Sequence, residues 1–255
     1  MAQDSMAAGQ RFEIGRVLST SVAVFMRNIG PFAIISLLIG IPYILISLWS
    51  VSSVADLQAQ AQTGSVPRGF YGMIAVGGII FLLTNTLSQA AINYGTFQDL
   101  RGQKASFGDC LGRGLAMLPR VVIAAILASL GITIGFMLLV VPGIILLLMW
   151  WVFVPAIVVE GVGIFESFGR SRALTSGHRW AILGLLVLVG IAQWLVSLVL
   201  GFVGAALGVI AAEIINVVVA LGFGAFASVL SAVGYYYLRA EKEGIVIDDI
   251  ARVFD

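Results

Sequence analysis

Between Val121 and Val159 the chain runs for 39 residues without a charged side chain. At 1.5 Å per helical residue, that stretch is about twice the hydrocarbon core of a bilayer, roughly 30 Å. Two apolar helices joined by a turn account for its length. Pro142-Gly143 lies near its middle, and this pair predicts the turn. A re-entrant hairpin with its apex at the same two residues is the rival geometry.

The same arithmetic extends to the rest of the sequence. A first span is expected from about Ile29 to Val54 and a second from about Tyr71 to Phe97, with a polar outer loop over Gln58 to Ser65 between them. Trp180 to Leu238 divides into a fifth and sixth span near Gly204 to Gly208. With 60% hydrophobic and 11% charged residues, the chain lacks the residues for a soluble protein's surface. The alternating ten-residue strands of an outer-membrane barrel are also absent. The expected fold is all-α: a polytopic bundle of six transmembrane helices with cytoplasmic interfacial helices.

Charge distribution orients this bundle. Thirteen of the fourteen Lys and Arg residues fall on one side of the six spans, and only Arg68 falls on the other. Basic residues are retained on the cytoplasmic side, so both termini are expected there. Residues 1–28 then form a cytoplasmic segment with an interfacial helix, 29–240 the six-span domain, and 241–255 an acidic cytoplasmic tail. Ile247, Ile250, Val253 and Phe254 could dock that tail on the basic belt. Cys110 falls on the reducing side, and as a single cysteine it excludes an internal disulfide. Trp180 and Tyr235 to Tyr237 fall where an interfacial aromatic belt belongs.

Gly15-Arg16, Gly112-Arg113 and Gly169-Arg170 each follow a phenylalanine and lead through a further Arg into a pair of spans. One reading is a threefold unit of interfacial helix plus helical hairpin; chance recurrence of Gly-Arg pairs is the other. In the second unit Ser106 and Asp109 have capping-box spacing.

Function is less legible. His178 is the only histidine, no zinc-ligand spacing is present, and no nucleophile elbow, intramembrane aspartate pair or phosphate loop occurs. No catalytic residue, metal site or cofactor is expected, and the near-neutral net charge argues against nucleic acid. Excluding the tail, the basic belt sums to eleven cations against six anions. Arg113, Arg170, Arg172 and Arg16 are therefore candidates for lipid headgroups, anionic ones included, each such contact contributing about 1 kcal/mol; topological retention alone is the plainer account. Within the spans, Glu213 with Asn216, the i, i+4, i+8 row Asn85, Gln89 and Asn93, and Gln193 are the polar candidates. Ionisable groups at that depth mark function by default, whereas amides also serve helix packing. Gly131 with Gly135, and Gly204 with Gly208, have the spacing of close helix approach.

Four segments, Pro142 to Ile145, Pro155 to Glu160, Gly169 to Gly177 and Tyr237 to Arg239, together resemble the bacterial integral-membrane family named for the membrane domain of glycerophosphoryl diester phosphodiesterases, and related uncharacterised inner-membrane proteins. The resemblance implies a bacterial inner membrane, and in that family the domain can be joined to a soluble phosphodiesterase. Met1 to Asp255 contains no such segment, so the catalytic activity is not carried over. The expectation is a non-enzymatic accessory or organising protein, acting through membrane lipids, a membrane-protein partner or a second copy of itself. A transporter or channel for a small solute or lipid is the alternative.

Overall fold

Away from water, a helix satisfies every backbone N–H and C=O within its own segment, so long apolar runs fold as helices. The computed structural model describes residues 12–61, 70–104 and 106–244. In chain order its helices are α1 (Ile14–Arg27), α2 (Ile29–Ala61), α3 (Phe70–Leu100), α4 (Phe107–Leu138), α5 (Val140–Met149), α6 (Phe153–Glu160), α7 (Ile164–Thr175), α8 (Arg179–Leu207) and α9 (Val209–Glu243). No strand occurs among the described residues. Six stretches are long and apolar enough to cross a membrane: one in each of α2, α3, α4, α8 and α9, and one formed by α5 and α6 together, Val140–Glu160. The chain is an all-α, multi-pass membrane bundle.

Contacts gather the charged ends of these helices. Arg27 at the end of α1 pairs with Asp99 at the end of α3, 2.5 Å away, and the Asn28 amide donates to the same carboxylate. The Phe12 N–H donates to Glu241 at the end of α9, and His178 before α8 lies 3.2 Å from Glu241. Arg120 donates to the Gly161 carbonyl after α6. All these residues share one end of the bundle, as an even number of spans requires.

The two hairpin turns differ in construction. The α4–α5 turn is made by Leu139 alone, in extended conformation, so the break comes three residues before the expected Pro142-Gly143. Pro142 instead sits in the first turn of α5, where its missing N–H would have had no helical partner. Gly143 packs against α4: a Cβ there would fall 2.5 Å from the Phe136 ring. The α8–α9 turn falls at Gly208, within the expected interval, with φ of 101°, a conformation that side-chain-bearing residues rarely adopt. Of the glycines expected to allow close approach, Gly131, Gly135 and Gly204 face neighbouring atoms closely, whereas Gly208 serves the turn.

Several expected boundaries shift. The segment around Arg113 is not a separate interfacial helix but the first turns of α4, which runs on without interruption through Pro119. There Gly114 lies close against Ala91 of α3, so the amphipathic start is packed alongside its neighbour. Ser106 caps α4 by position, but its hydroxyl makes no capping hydrogen bond. The first and third interfacial segments are separate helices, α1 and α7. Gln58 to Ala61, expected in the outer loop, continue α2, and Glu241 to Glu243, expected in the tail, continue α9. Arg68 and the expected tail docking by Ile247 to Phe254 lie outside the described residues.

The fourth span is broken at Trp150 to Val152, a feature absent from the sequence reading. A break at this depth leaves backbone groups without helical partners, and hydroxyls from neighbouring helices satisfy them. Ser171 of α7 donates to the Met149 carbonyl at 2.7 Å and accepts the Val152 N–H at 3.2 Å. Ser231 of α9 donates to the Trp151 carbonyl. Gly234 of α9 admits the Trp151 ring, which a Cβ would meet at 2.4 Å.

Packing is uneven along the bundle axis. In α9 the buried residues run from Ala225 to Ala240, with only Val217 buried nearer its start; in α8 they are Ile182 and Leu185, then Gly204 beside the turn. The core therefore sits in the charged half, around α6, whose residues Val154 to Val159 are all buried. The far half of α8 is largely exposed. Ser171→Ala should destabilise the bundle by about 1–3 kcal/mol, the cost of leaving buried backbone groups unpaired. Reversible unfolding in mixed detergent micelles measures it, and Ser19→Ala, whose hydroxyl only reaches the exposed Arg16 carbonyl, should cost far less.

Candidate functional site

At the charged end, α6, α7 and α9 meet in one ion-pair network. Arg170 of α7 holds both carboxylate oxygens of Glu160: its Nε lies 3.0 Å from each, and a terminal nitrogen lies 2.8 Å from Oε1. Arg170 also donates to Glu243, and the Tyr235 hydroxyl donates to Glu160. Arg239 completes the ring, 2.7 Å from Glu243 and 3.6 Å from Glu160. The Arg239 and Glu160 side chains are only 10% and 13% exposed, so two cations and two anions cancel in a setting that would not tolerate either alone. Burial works against the charge on Arg170, but its hydrogen bonds to Glu160 and Glu243 outweigh that penalty and hold its pKa above the ordinary arginine value.

This arrangement changes the reading of the headgroup candidates. Arg170 is spent on Glu160 and Glu243 and is not free for a lipid. Arg113 reaches back to the Val158 carbonyl at 3.4 Å, and Arg16 lies 3.6 Å from Glu13. Arg172 is exposed on α7, in the same end region as Phe165 and Trp180, which are 80% and 86% exposed. Tyr235, expected in an aromatic belt, is buried with its ring edge against Phe97.

Nearer the middle of the bundle, a cavity of about 280 Å³ lies between α2, α3, α8 and α9. Asn85, Gln89 and Gln193 all line it, so three of the intramembrane candidates come together. The Gln89 amide nitrogen donates to the Asn85 side-chain oxygen at 2.8 Å, leaving the Asn85 nitrogen and the Gln89 oxygen for a ligand. Gln193, Phe81 and Ala227 lie at the bundle surface while Ser36, Gly40 and Ser228 are buried, so the cavity runs from the surface to the core. It forms because the far half of α8 packs loosely while α2, α3 and α9 stay in contact.

Asn93 does not join this cleft: it is buried, and its amide donates to the Gln89 carbonyl within α3. Glu213 and Asn216 line a second cavity of about 380 Å³ with Ser197 and Gly201, between α8 and α9. The two cavities follow one another along α8, where Gln193 lines the first and Ser197, one helical turn on, lines the second. Sequence reasoning missed the buried hydroxyls Ser36 and Ser228, because serine is common in apolar helices and neither has a distinctive neighbour. It also missed the partnership of Glu160, Arg170 and Arg239, although all three lie in the segments that carried the family resemblance.

Residues 106–241 match a family described as "Domain of unknown function (DUF7847)". The chain belongs to that family. No solved structure matches the chain. The DUF7847 region spans α4 to α8 and nearly all of α9, and so contains every member of the ion-pair network except Glu243. The cleft is shared, because α2 and α3 supply one wall from outside that region.

Within the network, single neutralisation leaves a buried charge uncompensated, whereas joint neutralisation does not. Glu160→Gln and Arg170→Gln should each destabilise the bundle, and the double variant should be less destabilised than their sum by about 1–3 kcal/mol. A double-mutant cycle of detergent unfolding reads this directly; additive losses would mean the pair is uncoupled.

Proposed function

We propose that this DUF7847 protein is a non-enzymatic integral membrane protein that acts through lipids, taking a lipid-like amphiphile side-on into the cleft between α2, α3, α8 and α9. The observation that carries this reading is the convergence of Asn85, Gln89 and Gln193 on one cavity that opens at the bundle's flank. Polar groups at membrane depth are costly unless paired, and a ligand entering from the lipid phase would supply the missing partners. The wall offers hydrogen-bond donors and acceptors and no nucleophile-base pair, which supports binding over catalysis. Charge retention supports placing the charged end, both termini included, on the cytoplasmic side of the membrane, and the sequence resemblance supports a bacterial inner membrane. Arg172, beside exposed aromatic residues, remains the headgroup candidate on that face, where an anionic lipid or a partner protein would dock.

A transporter or channel for a small solute or lipid is the second reading. The succession of the two cavities favours it, since Gln193, Ser197 and Gly201 recur at helical spacing along α8 from one to the other. Lipid scrambling in proteoliposomes separates the two: a holding protein leaves the leaflets unmixed.

The binding reading predicts that Gln89→Leu with Gln193→Leu lowers the occupancy of co-purified amphiphile about tenfold, as the loss of two hydrogen bonds implies. Native mass spectrometry of protein released from nanodiscs measures this. Unchanged occupancy in a variant with unchanged helicity contradicts it.

A further inference from the structure

The first cavity has a mostly apolar lining with one uncharged polar patch. Among the described residues that line it there is no Lys, Arg, His, Asp or Glu; its polar wall consists of side-chain amides and hydroxyls. Thr84 and Ser228 donate their hydroxyl protons to carbonyls of their own helices, so both present oxygen lone pairs to a ligand. Ser36 differs: it is 5% exposed, and its hydroxyl has no hydrogen-bond partner. A buried hydroxyl left unpaired costs free energy, which a ligand group donating or accepting one hydrogen bond would recover. Among the described residues lining the second cavity, between α8 and α9, one is ionisable, Glu213.

Size narrows the ligand further. About 280 Å³ is roughly the volume of nine waters in the liquid, room for a compact head and a few methylenes but not for a whole lipid. The remaining chain must leave at the flank, where Trp194, Leu198 and Phe202 of α8 are exposed.

We infer that the cleft selects a single-chain amphiphile with an uncharged, hydroxyl- or amide-bearing head, the head lodged between Ser36, Asn85, Gln89 and Gln193 and the chain in the bilayer. This rests on the binding reading above and names its ligand class. A charged head would enter a wall with no counter-charge and forfeit its hydration, and an anionic one would also meet Glu213 on the α8–α9 side. The site is separate from Arg172 at the charged end, which would favour anionic lipid.

Competition tests this. Protein in nanodiscs is offered equal amounts of a monoacylglycerol, the fatty acid of the same chain, and the alkyltrimethylammonium of the same chain, and the bound species are weighed by native mass spectrometry. The monoacylglycerol should be retained about tenfold over either charged analogue, the equivalent of one uncompensated charge at modest discount. Gln89→Glu, nearly isosteric, should turn the preference toward the ammonium head. Equal or greater retention of the fatty acid, or a preference order untouched by Gln89→Glu in a folded protein, overturns the inference while leaving amphiphile binding intact. Retention of none of the three overturns both. Should Gln89→Glu fail to fold, the wild-type competition alone decides.

Discussion

The charged half of the bundle depends on how α7 clamps α6. Two adjacent residues do it: Arg170 holds Glu160 at one end of α6, and Ser171 holds Met149 and Val152 at the other. Between those points α6 is apolar and buried on every side, so it has no polar anchor of its own. An eight-residue helix that begins at a break inside the membrane would otherwise expose carbonyls and N–H groups with nothing to bond. The arginine supplies a charge-matched end and the serine a surrogate backbone. Arg239 and Tyr235 then tie the same carboxylate to α9, and Glu243 ties Arg170 to it, so that α7 and α6 are both held by a helix that touches every other helix except α4 and α5.

With that half fixed, the other half is free to be loose. Burial in α9 thins out beyond Ala225, and the matching stretch of α8 faces outward for most of its length. The cleft occupies the transition between the two regimes, with a packed floor at Ser36 and Ser228 and a loose wall at Gln193. That geometry suits a ligand that enters from the lipid phase and keeps its chain there. It also separates two chemistries: ionic contacts at the charged end, and neutral hydrogen bonding at mid-depth.

Helix content, span number and the α8–α9 turn were readable from apolar run length and glycine position, because both act locally. The α4–α5 turn was displaced by three residues because Pro142 and Gly143 serve other purposes, one tolerated in a first turn and the other packed on Phe136. The break at Trp150 to Val152 leaves no mark in an unbroken apolar run, since the hydroxyls that permit it belong to Ser171 and Ser231, 19 and 80 positions away from their partners. Arg170 read as a surface cation because Glu243 is 73 positions away and Glu160, though only 10 away, lies on a different helix. Asn85 and Gln89 were legible as one face of α3, but only the fold shows that Gln193 joins them and Asn93 does not.

The central claim is that a firmly clamped half supports a loose flank whose cleft holds an amphiphile. High-resolution electron cryomicroscopy of the protein in lipid nanodiscs tests it most directly. The account predicts α7 clamped on both ends of α6, together with density for a compact head beside Asn85, Gln89 and Gln193 and a chain leaving along α8. A bundle in which α8 closes onto α2 and α3, leaving no cavity and no density at those three residues, would contradict it.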